Sequence, residues 1–398
     1  MVNNYFHQIG SGEVNYMAEQ PKLRIVADEN MPFVKEAFAS FGEVVTAPGR
    51  AISRSQLTEA DILLVRSVTR VDEELLHDTP VRFVASATIG IDHIDLGYLR
   101  DNSIGFAYAP GSNADSVAEY VLAALSVIAR KTSMDLAGRT IGIIGVGNVG
   151  SRVFRHALTL GMKPLLCDPP KQRLTKCDLY RSLDEVLASA DIVTIHVPLV
   201  TEGEEKTFHM VNDAFLDRMK SAAVLINTSR GSVVDEAAVL SRRKRIGSLV
   251  LDVWENEPSI SGNLVAAADI ATPHIAGYSY DGKVRGTQAI YEAACAWYFK
   301  NPVWTPPAAV FGGEVAVLDL TAKRENPVSG AILQAYAIEH DHERLKKILE
   351  LPEGARTRYF DDLRKNYPKR SEFPHYSIKP GSCSEESVKV LGKLGFRI

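Results

Sequence analysis

Residues 139–170, RTIGIIGVGNVGSRVFRHALTLGMKPLLCDPP, constrain this chain more than any other stretch. Thr140 to Ile144 is a short apolar run of the kind that makes a buried parallel strand. Gly145, Gly147 and Gly150 follow as G-x-G-x-x-G, with Asn148 and Val149 ahead of the third glycine. The next ten positions have helical apolar spacing (Val153, Phe154, Ala157, Leu158), and Gly161 punctuates their end. A second strand starts at Pro164 and finishes at Asp168. A glycine-rich turn by itself predicts little; one set between strand and helix gives each glycine a job. The first permits the tight turn, the second lets backbone N–H groups approach a pyrophosphate, and the third lets helix and strand pack closely. The helix N-terminus offers unpaired N–H groups and partial positive charge to the phosphates. Asp168 lies about twenty residues on, where a carboxylate binds ribose hydroxyls and repels a 2′-phosphate. The stretch predicts dinucleotide binding, with NAD as the cofactor.

Composition bounds what surrounds this unit. The 398 residues are enough for two or three domains. A chain 45% hydrophobic and 24% charged is an ordinary globular protein. A net charge of −4 argues against a nucleic-acid partner. Cys167, Cys177, Cys295 and Cys383 are scattered, which predicts reduced thiols in a cytoplasmic protein and no metal site. The most apolar run, 117–129, is short and contains Glu119, so no membrane span is expected. Residues 1–21 lack the basic start and apolar core of a signal peptide and read as a polar extension.

Ahead of the glycine turn, strands are expected at 22–27, 43–46, 61–66 and 81–87, with helices at 32–41 and 71–77. This first α/β unit has no glycine fingerprint, so its post-strand loops are read as the substrate surface: RSVTR at 66–70 and ATIGID at 87–92. A long helix, 113–130, capped by Asn113 or Asp115, bridges into the cofactor unit. Beyond Asp168, helices at 183–190, 213–219 and 235–241 alternate with strands at 191–197, 223–227 and 249–253. A helix at 286–299 returns to the first unit, and Pro302, Pro306 and Pro307 mark a linker. A strand at 314–320 and helices at 327–338, 342–349, 361–366 and 384–394 follow, with no catalytic motif among them. The fold class expected is α/β: two Rossmann-like, doubly wound parallel-sheet domains with a cleft between them, plus a C-terminal α+β domain for oligomerisation or as a lid. The expected boundaries are 22–112 with 277–302 for substrate, 113–276 for NAD, and 303–398 for the C-terminal domain.

Three motifs near strand ends could carry chemistry. NTSRG at 227–231 presents Arg230, whose planar fork suits a carboxylate. LDVWENEP at 251–258 offers Asp252 and Glu257, and TPHIAGYS at 272–279 offers His274. Singly these read as a surface arginine, a solvated acidic loop and a packed histidine. Together they meet the needs of hydride transfer from an alcohol to NAD. Histidine takes the hydroxyl proton, a carboxylate fixes its tautomer and stabilises the imidazolium, and the arginine anchors an acid substrate.

These motifs in this order (GxGxxG, SRG, DVxExEP, PHIAG) resemble the D-isomer-specific 2-hydroxyacid dehydrogenase family, over about Lys22 to Phe299. The resemblance implies that Arg230, Glu257 and His274 are catalytic, that Asp252 faces the nicotinamide end of the cofactor, and that Val197 and Gly277 lie against NAD. Further pieces, among them ADENMP at 27–32, SATIGIDHID at 86–95 and HIAGYSYDGKVRGT at 274–287, are similar to one branch of that family. That branch oxidises a phosphorylated four-carbon acid in vitamin B6 synthesis and carries a C-terminal dimerisation domain. By this resemblance Ser67, Thr88 and Tyr278 contact substrate, and the chain forms a homodimer. Val197, Ile89 and Ile91 depart from the branch's usual residues. A phosphorylated substrate calls for basic groups, and Arg66 and Arg70 flank Ser67. At least one is expected to bind that phosphate, with Lys283 and Arg285 next in line. The rival readings are another dehydrogenase of the family, such as one for phosphoglycerate, and a non-catalytic NAD-sensing protein that keeps the triad.

Overall fold

The computed structural model describes residues 22–313, 315–321 and 326–398. The expected extension, residues 1–21, and Glu314 of the expected 314–320 strand lie outside the described residues. Strands β1 (Leu23–Asp28), β2 (Gly42–Ala47), β3 (Ile62–Val65), β4 (Phe83–Ser86) and β5 (Gly105–Tyr108) form a sheet in the order β2-β1-β3-β4-β5, every pair parallel. Strands β6 (Thr140–Ile144), β7 (Lys163–Cys167), β8 (Ile192–Ile195), β9 (Val224–Asn227), β10 (Ser248–Leu251) and β11 (Ile270–Ala271) form a second parallel sheet, ordered β11-β10-β9-β8-β6-β7. A parallel pair, β12 (Ala316–Leu318) and β13 (Tyr376–Ile378), lies in the C-terminal region.

Strands β3, β4, β8, β9 and β10 are buried along their whole length, which explains runs such as ILLV in β3 and VLIN in β9 rather than alternation. The outermost strand β2 does alternate. Strand order reverses at β1/β3 in the first sheet and at β6/β8 in the second. Ligands of such sheets bind beyond the strand ends at these switch points. The loop after β3 and the glycine turn after β6 both sit there.

Two helices, Ala114–Thr132 and Tyr280–Trp297, connect the two sheet units. The first is buried over most of its length. Its Asn113 makes no capping bond through its side chain, contrary to expectation. Glu119, which interrupts the apolar run, is a buried acceptor: it takes a bond from Phe373 N at 2.8 Å and one from Arg370 at 3.4 Å. The second helix starts six positions ahead of the expected 286. Gly282 and Gly286 hide its first turns from propensity arguments. Ser279 caps it, accepting from Gly282 N at 2.9 Å, and a Cβ at Gly286 would press on Ala87 O at 2.6 Å. The glycine is there for close approach to the end of β4.

Strand β5, the helices Leu96–Asp101 and Pro169–Thr175, and β13 were not foreseen. Each is too short to show a period. The helix expected at 361–366 runs over Glu353–Lys365. Among the described residues no helix is long and apolar enough to cross a membrane.

The C-terminal region is not a separate appendage. Ala331, Ile332, Leu391 and Phe396 share a core with Ile141 and Ile226 on one face of the second sheet. Leu345, Ile348, Phe360 and Leu363 share one with Ile195 and Leu251 on the other.

Candidate active site

The glycine turn forms as the sequence requires. Gly145 takes φ +84°, in the left-handed region. A Cβ at Gly147 would meet nothing within 4 Å, so this face is open to a ligand. A Cβ at Gly150 would collide with Gly145 O and push the helix Asn148–Thr159 off the strand. That helix has Gly147 at its N-cap and no side-chain cap, so its first N–H groups are left for an anion. Asp168 stands at the end of β7 and accepts from Val146 N at 2.8 Å and Lys171 N at 3.0 Å. It ties the turn to the Pro169–Thr175 helix, whose cap it also is. These residues fit a dinucleotide.

A cleft of about 1140 Å³ lies between the sheets. Arg66, Ser67, Arg70 and Thr88 line it from the first unit. Asn148, Val149, Val197, Arg230 and Asp252 line it from the second. Glu257, His274, Gly277 and Tyr278 complete the wall. Gly145, Gly147, Gly150 and Asp168 are not among its walls.

The structure brings His274 and Glu257 together. His274 has φ 56°, a left-handed residue just after Pro273. Its Nδ1 lies 2.7 Å from Glu257 Oε2, and Glu257 Oε1 accepts from Trp254 N at 2.9 Å. Burial would push the Glu257 carboxyl up. The charge and hydrogen bond of His274, with Arg364 and the Trp254 N–H, instead hold it below the usual carboxylate range. An ionised Glu257 accepts only, so Nδ1 carries the proton and Nε2 is left as an acceptor. Asp252 lies beneath, fully engaged with backbone and hydroxyl. It accepts from Thr272 Oγ1 at 2.7 Å, Ile275 N at 2.8 Å and Ala276 N at 2.9 Å, and so shapes the turn that carries His274. Burial pushes its carboxyl up, against the pull of His274 and these bonds.

Arg230 reaches from the second unit into the 87–92 loop of the first. Its Nε donates to Asp92 Oδ2 at 2.7 Å and its Nη1 to Ser229 O at 2.7 Å. Asn227 braces the loop, accepting from Ser229 N at 3.0 Å and donating to Arg230 O at 2.9 Å. Gly231 lies flat on the Trp254–Glu255 backbone, where any Cβ would collide. Gly231→Ala should therefore separate the arginine loop from the Glu257 loop. We expect a loss of about 1–3 kcal/mol in stability together with most of the activity, read by thermal melting and turnover. An alanine variant with wild-type activity would contradict this packing.

Tyr278 is surrounded by cations. Lys283 Nζ lies 4.9 Å, Arg66 Cζ 5.5 Å and Arg364 Cζ 5.7 Å from its ring centroid. Arg364 Nη2 also donates to Tyr278 Oη at 3.1 Å. Burial pushes the phenol up, but Arg364, Arg66 and Lys283 outweigh it and hold it below the usual tyrosine range. Burial and Arg66 push Lys283 down to about 8. The other two basic candidates are engaged elsewhere. Arg70 is 85% exposed and pairs with Asp72 at 2.7 Å, and Arg285 binds Ser112 O at 2.8 Å and Glu372 at 2.5 Å.

Three cleft residues escaped the sequence reading. Arg364 comes from the C-terminal region, where no catalytic motif is legible, and lines the cleft beside Tyr278; a lone arginine in a polar helix carries no signal. His93 and His196 also line the cleft. Burial pushes His196 down to about 3 and His93 to about 4, so both are neutral. His196 lies 3.0 Å from Thr194 Oγ1 and 3.2 Å from Thr228 Oγ1, and His93 lies 3.1 Å from Ser86 Oγ. Their position just after a buried strand was the available clue for His196.

Residues 122–276 match the model of the D-isomer specific 2-hydroxyacid dehydrogenase NAD binding domain, and residues 314–395 match a domain of unknown function (DUF3410). The chain is 46% identical over 374 residues to erythronate-4-phosphate dehydrogenase of Salinibacter ruber, covering 91% of this chain and 95% of that one. The chain belongs to the D-isomer specific 2-hydroxyacid dehydrogenase family. A Salmonella arizonae erythronate-4-phosphate dehydrogenase is 42% identical, covering 94% of this chain and 98% of that one. Among solved structures, D-lactate dehydrogenase from Aquifex aeolicus, in complex with NAD and lactic acid, is 28% identical with a TM-score of 0.59. It covers 69% of this chain, and 95% of its own length is matched. The dehydrogenase uses NAD, as the matched cofactor domain shows.

Proposed function

We propose that the chain catalyses NAD-dependent oxidation of 4-phospho-D-erythronate to (R)-3-hydroxy-2-oxo-4-phosphooxybutanoate, an early step of pyridoxine 5′-phosphate synthesis. The observation that carries this reading is the His274–Glu257 pair, 2.7 Å apart, in the cleft that Arg230 also lines. The names of the relatives at 46% and 42% identity supply the substrate.

Bound NAD supplies the acceptor for the hydride that leaves carbon 2. His274 Nε2 takes the proton of the 2-hydroxyl, and Glu257 stabilises the imidazolium through Nδ1. Arg230 holds the substrate carboxylate, trading its bond to Asp92 for a charge-assisted pair. Ser67, Thr88 and Tyr278 contact the substrate. Asn148, Val149, Val197, Asp252 and Gly277 would hold the cofactor, with the glycine turn at Gly145, Gly147 and Gly150 open to its phosphates and the Asp168 carboxylate available to its ribose hydroxyls. Arg66, rather than the exposed Arg70, is the better placed of the two basic residues first expected on the phosphate. Residues 22–112 with 277–302 act as the substrate domain, 113–276 as the NAD domain, and 303–398 as a dimerisation domain of a cytoplasmic homodimer.

The test is NADH formation with 4-phospho-D-erythronate beside D-3-phosphoglycerate and D-lactate. Turnover of the first alone is expected. A preference for D-3-phosphoglycerate would replace the substrate, and absence of turnover with all three, from protein freed of bound NADH, would favour an NAD-sensing role.

A further inference from the structure

The C-terminal helix Glu353–Lys365 runs against both walls of the cleft. Arg50 of the first unit pairs with its Asp361 at 2.6 Å. Ser259, next to the Glu257 loop, lies 3.1 Å from its Thr357, hydroxyl to hydroxyl. Arg364, on the same helix, is thereby held in the cleft, its Nη2 on Tyr278 Oη at 3.1 Å.

The side chain is incompletely satisfied there. Arg364 Nε is buried and has no hydrogen-bond partner. Buried donors are nearly always paired, so an orphaned guanidinium N–H in a cleft wall points to a ligand oxygen. The surroundings say which kind. Arg66, Lys283 and Arg364 converge on one tyrosine ring, and among the described residues none of the three has an ion-pair partner. The acidic groups whose charge reaches Arg364 and Lys283 are Glu257, already paired with His274, Asp361, already paired with Arg50, and buried Asp28. Three gathered cations exceed what one carboxylate requires, and Arg230 already provides a carboxylate anchor. They suit a phosphate dianion, which accepts from an arginine fork and a point-charge ammonium together.

We infer that Arg364, delivered by the C-terminal region, is the specificity-determining ligand for the substrate's terminal phosphate, acting with Arg66 and Lys283 around Tyr278. This rests on the proposed reaction and adds that the C-terminal region selects the substrate of the cleft.

The experiment compares kcat/KM for 4-phospho-D-erythronate and for unphosphorylated D-erythronate in the wild type, Arg364→Ala and Arg364→Lys. NAD affinity of each variant, followed by fluorescence, reports folding. The preference for the phosphorylated acid should fall about 30-fold to 1,000-fold in Arg364→Ala, through KM. Arg364→Lys, which keeps the charge and loses the fork, should recover part of it. An unchanged preference in Arg364→Ala overturns the inference while the reaction stands. If Arg364→Ala loses NAD binding, Arg364→Lys decides: a preference lowered at least several-fold supports the assignment, and a wild-type preference overturns it. If the wild type oxidises neither acid, the proposed reaction fails, and calorimetric titration of the NAD-loaded protein with inorganic phosphate judges the site instead. Weaker phosphate binding in Arg364→Ala then supports the assignment, and equal binding overturns it.

Discussion

Replacing His274 with alanine should lower kcat for the hydroxy acid by about 10²-fold to 10⁴-fold, with NAD affinity retained. The imidazole is held by Glu257 at 2.7 Å, so its free Nε2 is the group in the cleft suited to accept the hydroxyl proton. His93 and His196 do not replace it, because burial holds them neutral and hydrogen-bonded within the walls. Steady-state turnover measures the loss, and a variant within tenfold of wild type would remove His274 from the chemistry. Glu257→Gln supplies the companion result. An amide there no longer stabilises the imidazolium that forms as the proton moves, nor fixes its tautomer as firmly, so kcat should fall by up to about 10⁴-fold with NAD affinity retained. A Glu257→Gln variant with wild-type kcat would contradict the pairing.

Arg230→Ala should lower kcat/KM by about 10²-fold to 10³-fold, the scale for losing a preorganised donor at the reacting centre. Arg230→Lys should recover little of this, because the ammonium keeps the charge but not the two parallel donors. Without substrate Arg230 is bonded to Asp92, so the alanine variant also leaves that carboxylate unpaired beside the cleft. The effect should therefore appear in KM as well as kcat, which initial-rate kinetics separate. An Arg230→Ala enzyme with unaltered KM for the acid would place the carboxylate anchor elsewhere.

The cofactor end was legible because local rules govern it. Gly145, Gly147, Gly150 and Asp168 act over one strand–turn–helix–strand unit, and their spacing alone states the geometry. The three candidate residues were legible for a weaker reason. Arg230, Glu257 and His274 each follow a strand, and parallel sheets bring strand ends to one edge. Which of them touch was not legible: Arg230 bonds a carboxylate 138 positions away, across the cleft. Arg70 shows the same limit from the other side. It looks equivalent to Arg66 in the RSVTR loop, yet the turn that follows pairs it with Asp72 in solvent, while Arg66 faces Tyr278.

The C-terminal region marks the boundary between the two kinds of information. Sequence by itself determined two parallel α/β units, the glycine turn between strand and helix, and the arginine, glutamate and histidine at the strand ends. Those features rest on periodicity, glycine's freedom and residue chemistry at short range. Only the tertiary structure decided that helix Glu353–Lys365 crosses the cleft and sets Arg364 beside Tyr278 and Lys283. The reason is physical. That helix is held by apolar burial of Phe360 and Leu363 against the second sheet and by an ion pair from Arg50, 311 positions away, and contacts between segments so distant leave no period or spacing in the chain.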